Sequence, residues 1–261
     1  MRALQIAASG MLAQQTRVDV VSNNLANMST TGYNARRAEF ADLHYQQQTR
    51  PGTITAADGT VVPTGVQLGL GVRPAAVSVM LAQGASVFTG GDLDLSIEGR
   101  GYFEVALPGG NIGYTRHGGL HRSPDGLIVN PDGYPVVPEI VIPADARSLA
   151  ISASGEVWAY FADRVQPELL GQFNLTTFAN EKGLEAIGSN LFLESAASGA
   201  PLPGVPGEDG LGTLRQGYLE ESSVDAVREV TELIKAQRGY ELNAKVITAA
   251  DQMLGATVQV R

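Results

Sequence analysis

Apolar residues recur every seven positions at both ends of this chain, and that spacing constrains the fold more than any other feature. The N-terminal stripe consists of Leu4, Met11, Val18 and Leu25, each followed three positions later by Ala7, Gln14, Val21 and Met28. The C-terminal stripe consists of Leu233, Tyr240, Ile247 and Leu254, followed in the same way by Ala236, Asn243, Ala250 and Thr257. Spacings of three and four place such residues on one face of a helix, as in the seam of a coiled coil. We therefore predict a long amphipathic helix at each end.

Neither predicted helix is expected to be stable without a packing partner. The N-terminal helix contains Gly10 and the polar Gln14, and both weaken an isolated helix, which we expect to end near Asn27. We expect Ser222 or Ser223 to cap the start of the C-terminal helix. Packing within one chain is the plainer explanation of the stripes. The long non-helical middle offers little to cover them, however, so self-assembly with neighbouring copies is favoured.

The middle of the chain has the signals of short strands and tight turns. All 13 prolines and most of the 31 glycines lie there. Apolar runs at residues 93–97, 127–129, 140–142 and 157–160 are separated by turn sequences such as 123–126 and 130–133. The predicted fold class is α+β, with the N- and C-terminal α-helices paired in a coiled-coil-like domain and a mainly-β domain inserted between them.

The predicted organisation has five parts. They are the N-terminal helix and turn of the helical domain (1–44), an extended connector or arm (45–91), a β-rich outer domain (92–197), a Gly/Pro-rich connector (198–221) and the C-terminal helix of the helical domain (222–261). The first part of the arm is rich in Gln, Thr and Gly and is long for a loop in a compact domain. Such a segment indicates either disorder or an arm that becomes ordered against neighbouring molecules.

Composition and charge argue against several classes of protein. The formal net charge is -9 and the basic residues are scattered, so a nucleic-acid surface is not expected. The chain has no cysteine, which excludes disulfides, thiolate metal sites and a cysteine nucleophile. No apolar run approaches the roughly 20 residues that span a bilayer. The N-terminal stripe continues past the point at which a signal peptide would be cleaved, so we expect no cleaved signal.

No residue pattern selects an enzyme. His117 and His121 lie four apart, but two glycines between them argue against a shared helix face. The acidic residues Asp92, Asp94 and Glu98 lack the glycine of a calcium loop. We predict no catalytic residue, no metal and no cofactor. A secreted β-domain adhesin, or a glycan-binding or glycan-hydrolysing protein, is the alternative from a different class, but it would leave the terminal stripes without a purpose.

Several short segments spread along the whole chain have a recognisable pattern. They are residues 7–11 (AASGM), 22–27 (SNNLAN), 31–33 (TGY), 99–103 (GRGYF), 114–116 (YTR), 217–220 (GYLE) and 229–241 (EVTELIKAQRGYE). Together these segments resemble the flagellar rod and hook protein family. Gly239 departs from the family pattern, which usually has alanine there. Glycine weakens a helix by about 1 kcal/mol relative to alanine, yet it lets a neighbouring helix approach closely.

The resemblance implies a structural subunit of the distal part of the bacterial flagellar rod, with a proximal rod subunit or another axial subunit as the alternative. Such a protein self-assembles into a helical tubular drive shaft that transmits torque from the motor to the hook. The implied partners are further copies of the chain, the proximal rod proteins, the hook protein, the P-ring and L-ring proteins and the flagellar type III export apparatus. Nucleic acid and direct membrane insertion are not implied. The implied location is the basal body, in a rod that spans the periplasm towards the outer membrane, reached by export without a cleaved signal peptide.

We predict an assembly interface on the two helices. Its residues are Leu4, Ala7, Met11, Val18, Val21, Asn23, Asn24, Leu25, Asn27, Leu233, Ile234, Gln237, Tyr240, Asn243, Ile247 and Leu254. Asn23 and Asn24 are poor helix formers, and we expect their amides to bond across the subunit interface. Fraying near the helix end is the alternative explanation.

Overall fold

The computed structural model describes residues 2–49, 64–164 and 166–259, and the side chains of all of these except 257–259. In chain order, a succession of short strands lies between two long helices. The helices are α1 (Arg2–Ala26) and α2 (Ala226–Gln259). The strands are β1 (Arg36–Asp42), β2 (Tyr45–Thr49), β3 (Val66–Gly69), β4 (Val72–Val79), β5 (Ser86–Phe88), β6 (Leu95–Glu98), β7 (Phe103–Ala106), β8 (Ile112–Thr115), β9 (His121–Arg122), β10 (Ile128–Val129), β11 (Val136–Val137), β12 (Ala146–Ile151), β13 (Glu156–Phe161), β14 (Glu168–Gln172), β15 (Leu175–Thr177), β16 (Glu185–Gly188), β17 (Leu191–Leu193), β18 (Leu202–Gly204), β19 (Thr213–Gln216) and β20 (Tyr218–Glu220). The α+β class is confirmed.

The chain divides into two compact units. The helical unit takes its residues from Met1–Ala26, Arg36–Ser78 and Asp225–Arg261, and it holds both helices with β1, β2, β3 and most of β4. The β unit takes its residues from Asn27–Ala35 and Val79–Val224, and it holds the remaining strands. Within the described residues, neither helix is long and apolar enough to cross a membrane.

Asp225 determines where α2 begins. Its carboxylate Oδ1 accepts hydrogen bonds from the backbone N–H groups of Val227 at 2.9 Å and Arg228 at 3.2 Å. These donors have no partner inside the helix, and an aspartate at this position also suits the positive end of the helix dipole. The predicted cap at Ser222 or Ser223 is therefore wrong, because Ser223 Oγ instead accepts the N–H of Ala35 at 2.9 Å within the β unit.

The predicted arm contains regular strands on both sides of its middle. β2 pairs antiparallel with β3, with Tyr45 opposite Gly69 and Gln47 opposite Gln67, and β4 pairs with β1. Residues 50–63 of the predicted arm lie outside the described residues. The turn between β3 and β4 packs on α1, where Ser9 Oγ accepts the N–H of Val72 at 3.2 Å.

The β unit contains one five-stranded sheet in the order β11-β7-β8-β17-β16 and one three-stranded sheet in the order β12-β13-β14. Strand pairs β5 with β20 and β6 with β19 join its first strands to its last ones. Its core is fully buried and includes Leu95, Ile97, Phe103, Val157, Phe173 and Leu175. Burial of large apolar side chains on this scale is the main source of stability of such a unit.

The predicted turns at 123–126 and 130–133 are confirmed, and each ends on a glycine with positive φ, Gly126 at 87° and Gly133 at 88°. The predicted strand at 140–142 is wrong as a strand. Its only strand-like pairing is an isolated bridge between Val141 and Leu127. The side chains of Ile140 and Ile142 are nevertheless buried in the core, which explains why the segment is apolar.

Candidate assembly surface

The two helices of the helical unit contact each other and run antiparallel. Early residues of α1 meet late residues of α2, since an added Cβ at Gly10 would lie 2.9 Å from the amide of Asn243. Late residues of α1 meet early residues of α2, since Asn24 Nδ2 donates to Glu229 Oε2 at 3.2 Å. The two helices therefore lie side by side along a common seam.

An ion pair crosses the helix pair near its middle. Arg17 Nη2 lies 3.1 Å from Glu232 Oε2, and Lys235 Nζ donates to Glu232 Oε1 at 2.7 Å. The hydrogen bond from Lys235, with Arg17 nearby, lowers the pKa of Glu232. Because these side chains are partly exposed, solvent screens the attraction and the pair contributes little stability.

Glycines allow close approach at two places in the seam. An added Cβ at Gly239 of α2 would lie 3.0 Å from Cδ of Gln14, and the corresponding contact of Gly10 is with Asn243. Each helix thus supplies one glycine and receives one polar side chain. The expectation that Gly239 lets a neighbouring helix approach closely is confirmed, with α1 of the same chain as that neighbour.

The predicted interface residues fall into three groups by exposure. Ala7, Val21 and Asn24 are buried at 2%, 5% and 1% exposure. Partly buried are Leu4, Met11, Val18, Leu25, Asn27, Leu233, Asn243, Ile247 and Leu254. Exposed are Asn23, Ile234, Gln237 and Tyr240. Asn27 belongs to the β unit, where its Oδ1 accepts the hydroxyl of Thr30 at 3.1 Å.

Asn24 has a role inside the chain. Its Oδ1 accepts the N–H of Arg36 at 2.9 Å and its Nδ2 donates to the carbonyl of Arg36 at 2.8 Å. The residue is 1% exposed. Its amide joins the end of α1 to the start of β1 and to α2 within the chain. A bond from Asn24 across a subunit interface stays a prediction.

An exposed apolar row on the outer side of α2 was not predicted from the sequence. Leu242, Val246 and Met253 are 62%, 48% and 65% exposed, and they lie at i, i+4 and i+11 on one helix face. Val227, Val230 and Ile234, of which Ile234 was predicted to lie in the interface, form a second exposed group near the start of the helix. The spacing of Leu242, Val246 and Met253 could have indicated the row, although these residues lie outside the heptad positions of the predicted stripe. We refer to the row of Leu242, Val246 and Met253 as the outer row.

A cleft of about 250 Å³ in the β unit contains charged side chains that are paired. Arg100 Nη2 lies 2.6 Å from Glu181 Oε1, and Arg116 Nη2 lies 2.9 Å from Glu220 Oε2. Pairing of this kind holds the charged side chains in place in the cleft. In the described ranges, no group of three or more His, Asp or Glu side chains is placed to hold a metal ion.

A second cleft, of about 280 Å³, includes His117. His117 Nδ1 accepts the N–H of Gly119 at 3.2 Å, and burial lowers the pKa of the imidazole. His121, the other member of the histidine pair considered from the sequence, is exposed in β9. His117 therefore stabilises a turn through its hydrogen bond with the N–H of Gly119.

Family profiles match both ends of the chain and its β-rich middle. The profile for "Flagella basal body rod protein" matches residues 4–34, that for "Flagellar hook protein FlgE/F/G D1 domain" matches 96–159, and that for "Flagellar basal body rod FlgEFG protein C-terminal" matches 215–260. The first and third of these cover most of α1 and α2.

Similar proteins extend along the full length. The flagellar basal-body rod protein FlgG of Caulobacter vibrioides is 52% identical over 261 residues, covering 100% of both chains. The protein of the same name from Agrobacterium fabrum is 47% identical and covers 97% of both. A crystal structure of the Helicobacter pylori hook protein FlgE2 matches 71% of this chain and 43% of that chain, at 15% identity and a TM-score of 0.25, and carries no weight here. From the sequence relatives, the chain belongs to the FlgG family of flagellar basal-body rod proteins.

Proposed function

We propose that the chain is a structural subunit of the flagellar distal rod, which self-assembles into a helical tubular drive shaft and transmits torque from motor to hook. The observation that carries the proposal is the full-length identity of 52% to a basal-body rod protein FlgG. A proximal rod subunit is not favoured, because the similar proteins that cover the whole length at 39% identity or more carry the FlgG name.

The exposure pattern of α2 supports self-assembly. A helix paired on one side only normally has a polar outer face. Leu242, Val246 and Met253 instead form an apolar outer row, and Ile234 is 52% exposed as well. Apolar groups that gather on one surface mark contact sites for other proteins. In our proposal the outer row packs against a second copy of the chain, together with Asn23, Gln237 and Tyr240.

The proposed assembly is head-to-tail. A contact that joins different surfaces of identical molecules, and does not close into a ring, generates a helical filament. The seam between α1 and α2 supports a coiled-coil-like helical domain, and the chain order of the two units supports a β domain inserted between the helices. The conformational entropy that the helices lose on becoming ordered is then offset by burial of their outer apolar side chains in the filament.

The remaining partners follow from membership of the family. We infer contacts with the proximal rod proteins, the hook protein and the P-ring and L-ring proteins, and export by the flagellar type III apparatus without a cleaved signal peptide. The proposed location is the basal body, in a rod that spans the periplasm towards the outer membrane. We propose no catalytic activity and no cofactor, consistent with relatives named as rod proteins.

The assembly role can be tested by replacing the outer row. In a strain that lacks the chromosomal copy, we expect Leu242→Gln/Val246→Gln/Met253→Gln to abolish swimming, while the purified variant unfolds at the same urea concentration as the parent. The control carries three exposed polar replacements on the same helix, Lys245→Gln, Asp251→Asn and Gln252→Asn, and should swim. Normal swimming by the outer-row variant would contradict the proposed interface.

A further inference from the structure

The apolar stripes of α1 and α2 do not specify how the helices align along their length. Both stripes repeat every seven residues, so a slide of α2 by one heptad brings Tyr240 to the former place of Ile247 or of Leu233. Such a slide keeps heptad positions of one helix opposite heptad positions of the other. Coiled coils with this degeneracy populate several registers unless another feature selects one.

We propose that two amide-on-glycine contacts, Asn243 at Gly10 and Gln14 at Gly239, select the register of the helix pair. The two contacts are reciprocal, because each helix supplies one glycine and one amide side chain. They also agree on one alignment, since Gly10 precedes Gln14 by four residues and Gly239 precedes Asn243 by four. We call the four residues the register lock.

The geometry of the lock is tight. An added Cβ at Gly10 would lie 2.9 Å from both amide atoms of Asn243, and one at Gly239 would lie 3.0 Å from Cδ and 3.2 Å from Cγ of Gln14. Asn243 Nδ2 donates to the carbonyl of Gly239 at 2.9 Å, which links the two contacts along α2. Each glycine therefore provides the space that one amide fills.

Gln14 reveals that the lock does not serve stability. Its Oε1 is buried and has no hydrogen-bond partner among the described residues. A buried, unpaired acceptor costs free energy, and an apolar side chain at this position would avoid that cost. Buried polar groups at seam positions are known to fix register and partner number at the expense of stability. Gln14 has the features of such a group.

A slide in either direction removes both contacts. In one direction Gln14 would face Val246 in place of Gly239, and in the other Asn243 would face Ala3 in place of Gly10. An amide would then be placed against a side chain that has a Cβ, with no space made for it. The register matters because it sets the axial level of the exposed Leu12 relative to the exposed Leu242.

The test measures the register in the purified full-length chain, so its outcome is independent of the proposed function. The protein has no native cysteine, and spin labels can therefore be attached at Gln5→Cys and Thr231→Cys, both exposed. Distances between the labels are then recorded by pulsed electron paramagnetic resonance. A slide of one heptad moves the helices by about 10 Å, at about 1.5 Å per residue.

We expect a single distance in the labelled parent. The variant Gln14→Ala/Asn243→Ala, which removes both amides without adding bulk, should show a second distance displaced by about 10 Å. The control Gln15→Ala/Gln252→Ala replaces two exposed glutamines and should keep the single distance. An unchanged single distance in the amide variant would overturn the proposal. A broad distribution without a defined distance would also overturn it, because the amides would then hold the pair together and not choose its register.

Discussion

Arg116 and Glu220 form a buried ion pair that joins distant parts of the β unit. Arg116 Nε and Nη2 donate to Glu220 Oε2 at 3.0 and 2.9 Å, and the two side chains are 8% and 3% exposed. The other atoms of the pair also form hydrogen bonds. Arg116 donates to the carbonyls of Gly99 and Gly101, and Glu220 Oε1 accepts the N–H of Gly84. Every nitrogen of the guanidinium and both carboxylate oxygens therefore have a hydrogen-bond partner despite the burial of the pair.

Removing one partner of this pair should destabilise the β unit strongly. Glu220→Ala leaves the guanidinium of Arg116 buried and uncompensated, and we expect the free energy of unfolding to fall by about 3–5 kcal/mol. Urea unfolding followed by fluorescence of Trp158, which lies in β13, measures the change.

The control for this prediction is an ion pair of equal length at the surface. Arg215 Nη1 lies 2.9 Å from Glu98 Oε1, with both side chains 46% exposed. Glu98→Ala should change stability far less, since water replaces the lost partner. Equal losses in Glu98→Ala and Glu220→Ala would show that burial is not the decisive difference.

Two glycines of α2 should respond differently to alanine. An added Cβ at Gly255 meets nothing within 4 Å, so Gly255→Ala should raise the free energy of unfolding by up to about 1 kcal/mol through helix propensity. Gly239→Ala gains the same helix propensity, but its added Cβ collides with Gln14. We therefore expect the free energy of unfolding to stay the same or to fall. Helix content followed by circular dichroism during thermal unfolding compares the two. An equal gain at both positions would contradict the close helix contact at Gly239.

Asn24→Ala should destabilise the helical unit. The replacement leaves the N–H and carbonyl of Arg36 without their side-chain partner, which we expect to cost about 1–3 kcal/mol. Ser22→Ala, at an exposed position of the same helix, is the control and should leave stability nearly unchanged. Hydrogen exchange at the Arg36 amide reports the local effect, and unchanged protection in Asn24→Ala would count against the role assigned here.

His117 should make the β unit less stable in mild acid. Burial lowers the pKa of His117 in the folded chain below the ordinary value of 6.5, so the unfolded chain binds more protons between the lowered pKa and pH 6.5. The contribution is complete above pH 6.5 and is lost as pH falls through the lowered pKa of the folded state. Urea midpoints measured between pH 7 and pH 5 test this prediction.

The matched variants for the pH prediction are His117→Gln and His121→Gln. The first removes the buried imidazole and should flatten the dependence over this range. The second replaces an exposed histidine four residues later and should retain the dependence of the parent. If His117→Gln follows the parent curve, another group causes the acid sensitivity.

The sequence specified the helices well because their signal is periodic and long. The seven-residue stripes located α1 and α2, and Gly239 correctly indicated close packing. Local chemistry was less decisive at the start of α2, where the two predicted caps, Ser222 and Ser223, lie close to the actual cap Asp225 and a tertiary contact occupies Ser223. The buried role of Asn24 was not visible, because it depends on where Arg36 returns to the helix.

The strands were predictable where turns bounded them and less so elsewhere. Residues 140–142 are apolar because Ile140 and Ile142 enter the core, not because they form a strand. β2 and β3 are exposed along most of their length, so burial leaves little pattern in their sequence. The outer row was missed because Leu242 and Val246 lie outside the heptad positions that pair the two helices.

The central claim is that the chain builds the distal rod. Its most direct test is deletion of the gene, followed by electron microscopy of purified basal bodies, with counts of rods that reach the outer ring and carry a hook. We expect rods that stop short and lack hooks, and recovery when the gene is restored. Complete hooked rods in the deletion strain would contradict the assignment.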